Sequence, residues 1–272
     1  IPGISQPTSS AFQLLSSRKN LSQTIVQEGS VAAVAALLKM SADKVSLRNS
    51  LLSMCFLNSN PDNHVPILQQ GIVPILQSLC SNDDPNVRDL CALAFLNLSL
   101  NKESHRPFIQ AGAVPSVIVL AKSSSMNTKC RCAYTLFNFC SYELGIVRMV
   151  ADGLIDALVE LCRCEDEDAV RYAIAALCRI TVNTENAELI TASGAVEQIV
   201  GESVNKNGST LTKKFCAAAL CALSVYETCR INLCDRGIIP ALKALSYSND
   251  DDTKHRCLVA YGNLSCEDIV QP

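Results

Sequence analysis

The sequence predicts an all-α solenoid of about six three-helix repeats, and two observations carry that expectation. One glycine returns at a near-constant interval: Gly29, Gly71, Gly112, Gly153, Gly194 and Gly237 lie 42, 41, 41, 41 and 43 residues apart. One amphipathic segment returns with it, read most clearly at 87–99 as VRDLCALAFLNLS. Its relatives are LLSMCFLN at 51–58, CRCAYTLFNFCS at 130–141, YAIAALCRIT at 172–181, CAAALCALS at 216–224 and CLVAYGNLS at 257–265. A period in the low forties built of helical segments marks a stacked-repeat protein, in which each unit buries its apolar face against its neighbours.

Taken in order, residues 1–18 begin rich in Ser and Pro and pass into AFQLLSS at 11–17. By period this segment aligns with the end of the recurring helix. It reads equally as the remnant of a preceding repeat or as an N-terminal cap. Six repeats follow at 19–60, 61–101, 102–142, 143–183, 184–226 and 227–267, and 268–272 reads as the start of a further one.

Within each repeat a short first helix precedes the glycine, as at 65–70 and 188–191. Glycine adopts positive φ without strain, so it can end that helix in a sharp turn. The second helix starts just after, with Pro74, Pro115 and Pro240 near its first turn, where proline costs no hydrogen bond. Two residues past the glycine stand Val31, Val73, Val114, Ile155, Val196 and Ile239, and five past it Val34, Leu76, Val117, Leu158, Ile199 and Leu242. That is helical spacing. Eight past it leucine recurs except at Glu202, and the fifth copy has a longer loop around Gly208.

A polar loop then leads into the third helix: SNDDPN, SSSMNT, CEDEDA, NKNGST and SNDDDT in successive copies. These loops lack the alternating ligands, glycine and closing glutamate of a calcium loop. Asp, Asn and Ser just before a helix are expected as caps of free N–H groups, with the acids also opposing the helix dipole.

Composition narrows the function. Apolar residues make up 49% of the 272, tryptophan is absent, and the formal net charge is −3. That charge gives no general attraction to nucleic acid or anionic membrane, and the aromatic residues that stack on RNA bases are mostly missing. The longest apolar run, 31–38, falls well short of the roughly 18–20 residues that cross a bilayer. No direct membrane insertion is expected. The chain opens on Ile1 rather than Met, so a lipid anchor or targeting signal outside it stays open.

Fifteen cysteines could suggest disulfides or zinc. Cys91, Cys132, Cys216 and Cys257, however, share one register position with Ser50 and Ala173, six residues before the position of Asn97. A slot that accepts Cys, Ser and Ala is a packing slot for a small residue. Cys55, Cys178 and Cys221 share a second slot, and there is no CxxC pair. Free thiols in a reducing compartment follow, with a cytoplasmic location, in solution or peripheral to a membrane or cytoskeleton. No enzyme, metal site or cofactor is expected. The three histidines fall in three different repeats, His64 and His105 in matching positions, and phosphate-binding and nucleophile motifs are absent.

The glycine turn, the G-x-[VI]-P start at Gly71 and Gly112, and the long helix ending in ALxNLS together resemble the armadillo repeat, over about 19–267 in six copies. The resemblance implies a right-handed superhelix whose third helices line a concave groove, and an asparagine on each that holds an extended peptide. The chemistry suits the task. A side-chain amide offers an acceptor and two donors, so it pairs with any peptide unit whatever its side chain. Helices pack about 8–10 Å apart, less on a concave side, and two extended residues span roughly 6.7 Å. One amide per repeat can therefore track about two peptide residues.

Carried over, the ladder positions are Phe56, Asn97, Asn138, Arg179, Ala222 and Asn263, with asparagine at three of six. Four residues earlier, where nuclear-import receptors of this type carry tryptophan, stand Leu52, Leu93, Tyr134, Ala175, Ala218 and Val259, so a nuclear-localisation receptor is not expected. Positions four and seven before the ladder share its face and add Tyr134, Arg131, Tyr172 and Arg256, with Arg171 and Lys214 on the flank. These cations suit an acidic or phosphorylated segment. The expected function is a non-catalytic scaffold for a protein or peptide ligand. The alternatives are an adaptor for membrane, organelle or cytoskeletal attachment, a regulatory segment of a larger enzyme such as a ubiquitin ligase, and self-association through end repeats.

Overall fold

The computed structural model describes residues 5–18, 21–40 and 43–265; the segment at 268–272 lies outside them. The described residues form nineteen α-helices and no strand. A leading helix, α1 (Ser5–Ser16), precedes six triplets. They are α2 (Ser22–Gln27), α3 (Ser30–Met40) and α4 (Lys44–Leu57); α5 (His64–Gln69), α6 (Val73–Leu79) and α7 (Pro85–Ser99); α8 (Lys102–Gln110), α9 (Ala113–Ala121) and α10 (Met126–Phe139); α11 (Ile146–Ala151), α12 (Leu154–Cys162) and α13 (Glu167–Ile180); α14 (Thr184–Ala192), α15 (Ala195–Val204) and α16 (Thr210–Ser224); α17 (Glu227–Asp235), α18 (Ile238–Ser246) and α19 (Asp251–Ser265).

The chain divides into two compact units, Ile1–Gly145 and Ile146–Pro272. In the first, α1, α4, α7 and α10 stack as one layer, α3, α6 and α9 as a second, and α2, α5 and α8 as a third. The leading helix thus takes the place against α4 that α4 takes against α7. In the second unit α13, α16 and α19 form one layer and α12, α15 and α18 another, with α14 against α17.

The sequence pattern explains the layers. The residue after each ladder position, Leu57, Leu98, Phe139, Ile180, Leu223 or Leu264, is no more than 1% exposed. In the first unit Phe108 joins this core, with its ring 5.4 Å from Phe95 and 5.2 Å from Phe139. The small-residue slot holds Ser50, Cys91, Cys132, Ala173, Cys216 and Cys257, all fully buried. Every cysteine among the described residues is a free thiol. Burial pushes the Cys55 and Cys216 thiols up to about 12.

The polar loops act as caps. Asp43, Asp84, Ser125, Asp166, Ser209 and Asp250 each accept a hydrogen bond from a backbone N–H in the first turn of a third helix, at 2.8–3.3 Å. A cap of this kind contributes about 1 kcal/mol. The six recurring glycines all have positive φ, between 73° and 93°.

At four of the first helices, side chains in or just before the first turn satisfy carbonyls at the end of the third helix before it. Asn63 donates to Leu57 O, His64 to Asn58 O, His105 to Ser99 O, Asn186 to Ile180 O and Arg230 to Ser224 O, at 2.7–3.0 Å, and Ser104 donates to Leu98 O. The carbonyl partner fixes the proton of His64 on Nε2 and leaves Nδ1 a bare acceptor, buried without a partner. The matching atom of His105 has the Ser141 hydroxyl 3.3 Å away; Leu100 stands in the equivalent place for His64. Burial lowers the His64 pKa below its ordinary value.

Two measurements check this account. Gly153 has φ +93° and Gly201 sits in a helix with ordinary φ, and a Cβ at either meets nothing within 4 Å. In urea melts Gly153→Ala is expected to lose about 1–2 kcal/mol to left-handed strain, while Gly201→Ala gains roughly 0.5–1 kcal/mol of helix propensity. The depressed His64 pKa means that the unfolded chain binds more protons just below about pH 6.5. The His64 contribution is therefore full above that pH and is lost as pH falls toward the folded value. His64→Gln is expected to flatten the decline in stability between pH 7 and pH 5.

Candidate functional site

The third helices of the first unit each carry a half-buried stripe along one face. On α7 it carries Leu90, Leu93, Leu96 and Asn97, on α10 Arg131, Tyr134, Phe137 and Asn138, and on α4 Asn49, Leu52 and Phe56, all half-buried. The sequence-selected Asn97, Asn138, Arg131 and Tyr134 therefore share a face of the first unit.

Asn97 donates through Nδ2 to the Asn58 side chain at 3.0 Å and to Cys55 O at 3.3 Å. Asn58, fully buried, in turn donates to Ala94 O. Asn138 donates to Ser99 Oγ at 3.0 Å. Arg131 lies 2.6 Å from the Asp89 carboxylate and 3.0 Å from the Asp89 carbonyl. Arg48, on the flank of α4, pairs with Asp84 at 2.6 Å.

In the second unit the stripe is built differently. Ala175 and Ala218 leave little side chain there, and Arg179 is exposed between the half-buried Cys178 and the loop that follows. Arg171 pairs with Asp168 at 2.6 Å and lies over the Tyr172 ring, 5.0 Å from its centroid. Lys214 and Arg256 come together on one carboxylate, each 3.2 Å from Asp252, and Lys214 also reaches Asp250 at 3.4 Å. Arg256 and Lys214 hold the Asp252 carboxyl below the usual carboxylate range. Asn263 donates to Ser224 Oγ at 3.0 Å, repeating the Asn138–Ser99 bond.

Comparison with solved structures identifies this repeat. An engineered protein superposes with a TM-score of 0.83 at 23% identity, covering 96% of this chain and 64% of its own. Computationally designed armadillo repeat proteins for modular peptide recognition superpose at 0.77 with 20% identity, covering 86% and 99%. A designed armadillo repeat protein in complex with the peptide (KR)4 gives 0.74 and 19%, covering 86% and 99%. The chain has an armadillo-like repeat fold. No protein-family model matches it, and no curated protein matches its sequence.

Within the armadillo-like fold each ladder amide is held from behind by the repeat before it. Asn138 and Asn263 each give one N–H to a serine, which leaves the second N–H and Oδ1 of each amide for a peptide unit. Asn97 makes two bonds through Nδ2, which leaves Oδ1 as its acceptor. The partners Asn58, Ser99 and Ser224 stand two residues after ladder positions, so their shared register was the sequence signal for them. The pairs Asp168–Arg171 and Asp252–Arg256 stand at i,i+3 and i,i+4 and so had a sequence signal, whereas Arg131 with Asp89 and Lys214 with Asp252 had none, because they depend on helices meeting across a repeat. Among the described residues no cluster of three or more His, Cys, Asp or Glu side chains suits a metal ion, and no helix is long and apolar enough to cross a membrane.

The serine–asparagine bond can be measured directly. Asn138→Ala and Ser99→Ala are each expected to cost about 1 kcal/mol of stability, and the double variant distinctly less than their sum, because both remove one hydrogen bond.

Proposed function

We propose that the chain is a non-catalytic scaffold whose third-helix faces hold extended partner segments, at Asn97 and Asn138 on the first unit and, taken by itself, at Asn263 on the second. The observation that carries this reading is the state of Asn138 and Asn263. Each is oriented by one serine, half-exposed, and left with one donor and one acceptor. That is the complement of a single peptide unit. An enzyme would need a nucleophile or acid–base pair, and the two histidines that lie deepest serve helix ends instead.

The finer proposal concerns charge. In the second unit Arg171 pairs with Asp168, and Lys214 and Arg256 with Asp250 and Asp252, so these cations together with Arg179 exceed the three acids by one charge, and an acidic or phosphorylated partner stretch is the ligand proposed there. In the first unit Arg131 and Tyr134 join the amides, with Arg131 neutralised by Asp89. The free thiols suit a reducing compartment such as the cytoplasm.

The test is quantitative capture from native lysate with the wild type and with an Asn97→Ala/Asn138→Ala/Arg179→Glu variant, after circular dichroism shows that both fold. Partners recovered at least tenfold less on the variant are expected. A partner set unchanged between the two would place binding on another surface.

A further inference from the structure

The first unit presents a second, outward row of leucines that the core does not use. Leu90, Leu93 and Leu96 are mostly but not wholly buried along α7, and Leu100, just past its end, is 52% exposed. Leu52 and Phe56 flank this row on α4, and Tyr134 and Phe137 flank it on α10, their rings 6.4 Å apart. The charges of the same face are neutralised inside the protein. Arg131 is held by Asp89, and Arg48 by Asp84. Asn97 and Asn138 sit within the apolar row.

We infer that the third-helix face of the first unit selects an extended segment with apolar or aromatic side chains at alternate positions. This rests on the scaffold reading above and names the partner chemistry of its first half. Three arguments lead to it. A charged ligand side chain here would have to displace an existing ion pair, whereas an apolar one covers leucine that the fold leaves partly in water. A helical ligand has its own N–H and C=O groups paired, and so leaves the Asn138 amide and the Asn97 oxygen without partners; an extended chain has both groups available. Side chains of an extended segment alternate between its two faces, so every second one can meet Leu93, Leu96, Tyr134 or Phe137 while the backbone meets the amides. The chain's own leading helix does not compete for the face, because α1 stacks beside α4 as a member of the helix layer.

The experiment is selection of phage-displayed random decapeptides on the full chain, followed by fluorescence anisotropy with the enriched peptides. The variants are Leu93→Ser/Leu96→Ser, Asn138→Ala, and Arg179→Glu/Arg256→Glu, each checked for folding by circular dichroism. The expected result is a pool with apolar residues at alternate positions. Its affinity falls at least tenfold in Leu93→Ser/Leu96→Ser and severalfold in Asn138→Ala, falls less in Arg179→Glu/Arg256→Glu than in either, and varies less than twofold between 50 and 300 mM salt. Enriched peptides that are acidic and depend only on Arg179 and Arg256 would overturn the inference while leaving the scaffold reading standing. A selection in which no enriched peptide is weakened by any of the three variants would overturn both. Should Leu93→Ser/Leu96→Ser fail to fold, Leu96→Asn with Leu100→Ser puts the same question at the more exposed end of the row.

Discussion

The rest of the structure depends on how the end of each third helix is sealed. A helix ends with carbonyls that have no partner inside the helix, and a buried carbonyl without one is costly. Here the next first helix supplies the donors from two adjacent positions: Asn63 and His64, Ser104 and His105, Asn186, and Arg230. The chemical types differ, but each reaches back six residues to the same kind of carbonyl. The fourth copy has Gly145 and Ile146 at these positions, which carry no side-chain donor, and the boundary between the two compact units falls between them.

Once the ends are sealed and the core slots filled, the outward stripe is the part of each third helix free to vary. The ladder residue alternates among Phe56, Asn97, Asn138, Arg179, Ala222 and Asn263 while the residue after it remains a large buried apolar group. Variation at one position has consequences behind it. Where the next ladder residue is asparagine, the polar side chain at the end of the preceding helix is paired, as for Asn58, Ser99 and Ser224. Ser16 occupies the corresponding end of α1 and faces a repeat whose ladder residue is Phe56. Its buried hydroxyl has no hydrogen-bond partner.

Much of this was legible in the sequence because it repeats. Gly29 to Gly237 mark the turns by a requirement that glycine meets at no cost, and Asp43, Asp84 and Asp166 announce helix starts by chemistry local to a few residues. The burial of Cys91, Cys132, Cys216 and Cys257 followed from their sharing a slot with Ser50 and Ala173. The charge of the candidate site was harder to read. Arg131 and Lys214 look available when only their own helix is considered, yet each finds its acid on a neighbouring element: Asp89 on α7 for one, Asp250 and Asp252 at the start of α19 for the other. The leucines of α7 hid for a related reason, since two apolar faces on one helix read as a single hydrophobic run until packing shows which face is covered.

The small-residue slot has a practical consequence. Cys91, Cys132, Cys216 and Cys257 place one thiol in the core of the second, third, fifth and sixth triplets, each almost completely shielded from solvent. Alkylating reagents attack the thiolate, so a buried thiol with a raised pKa reacts only when its surroundings open. The protein thus carries four chemically identical reporters at matched depths along its length. The labelling rate of each, resolved by peptide mass, is a clock for the opening of its own repeat, and the set would show where unravelling begins without any probe being engineered in.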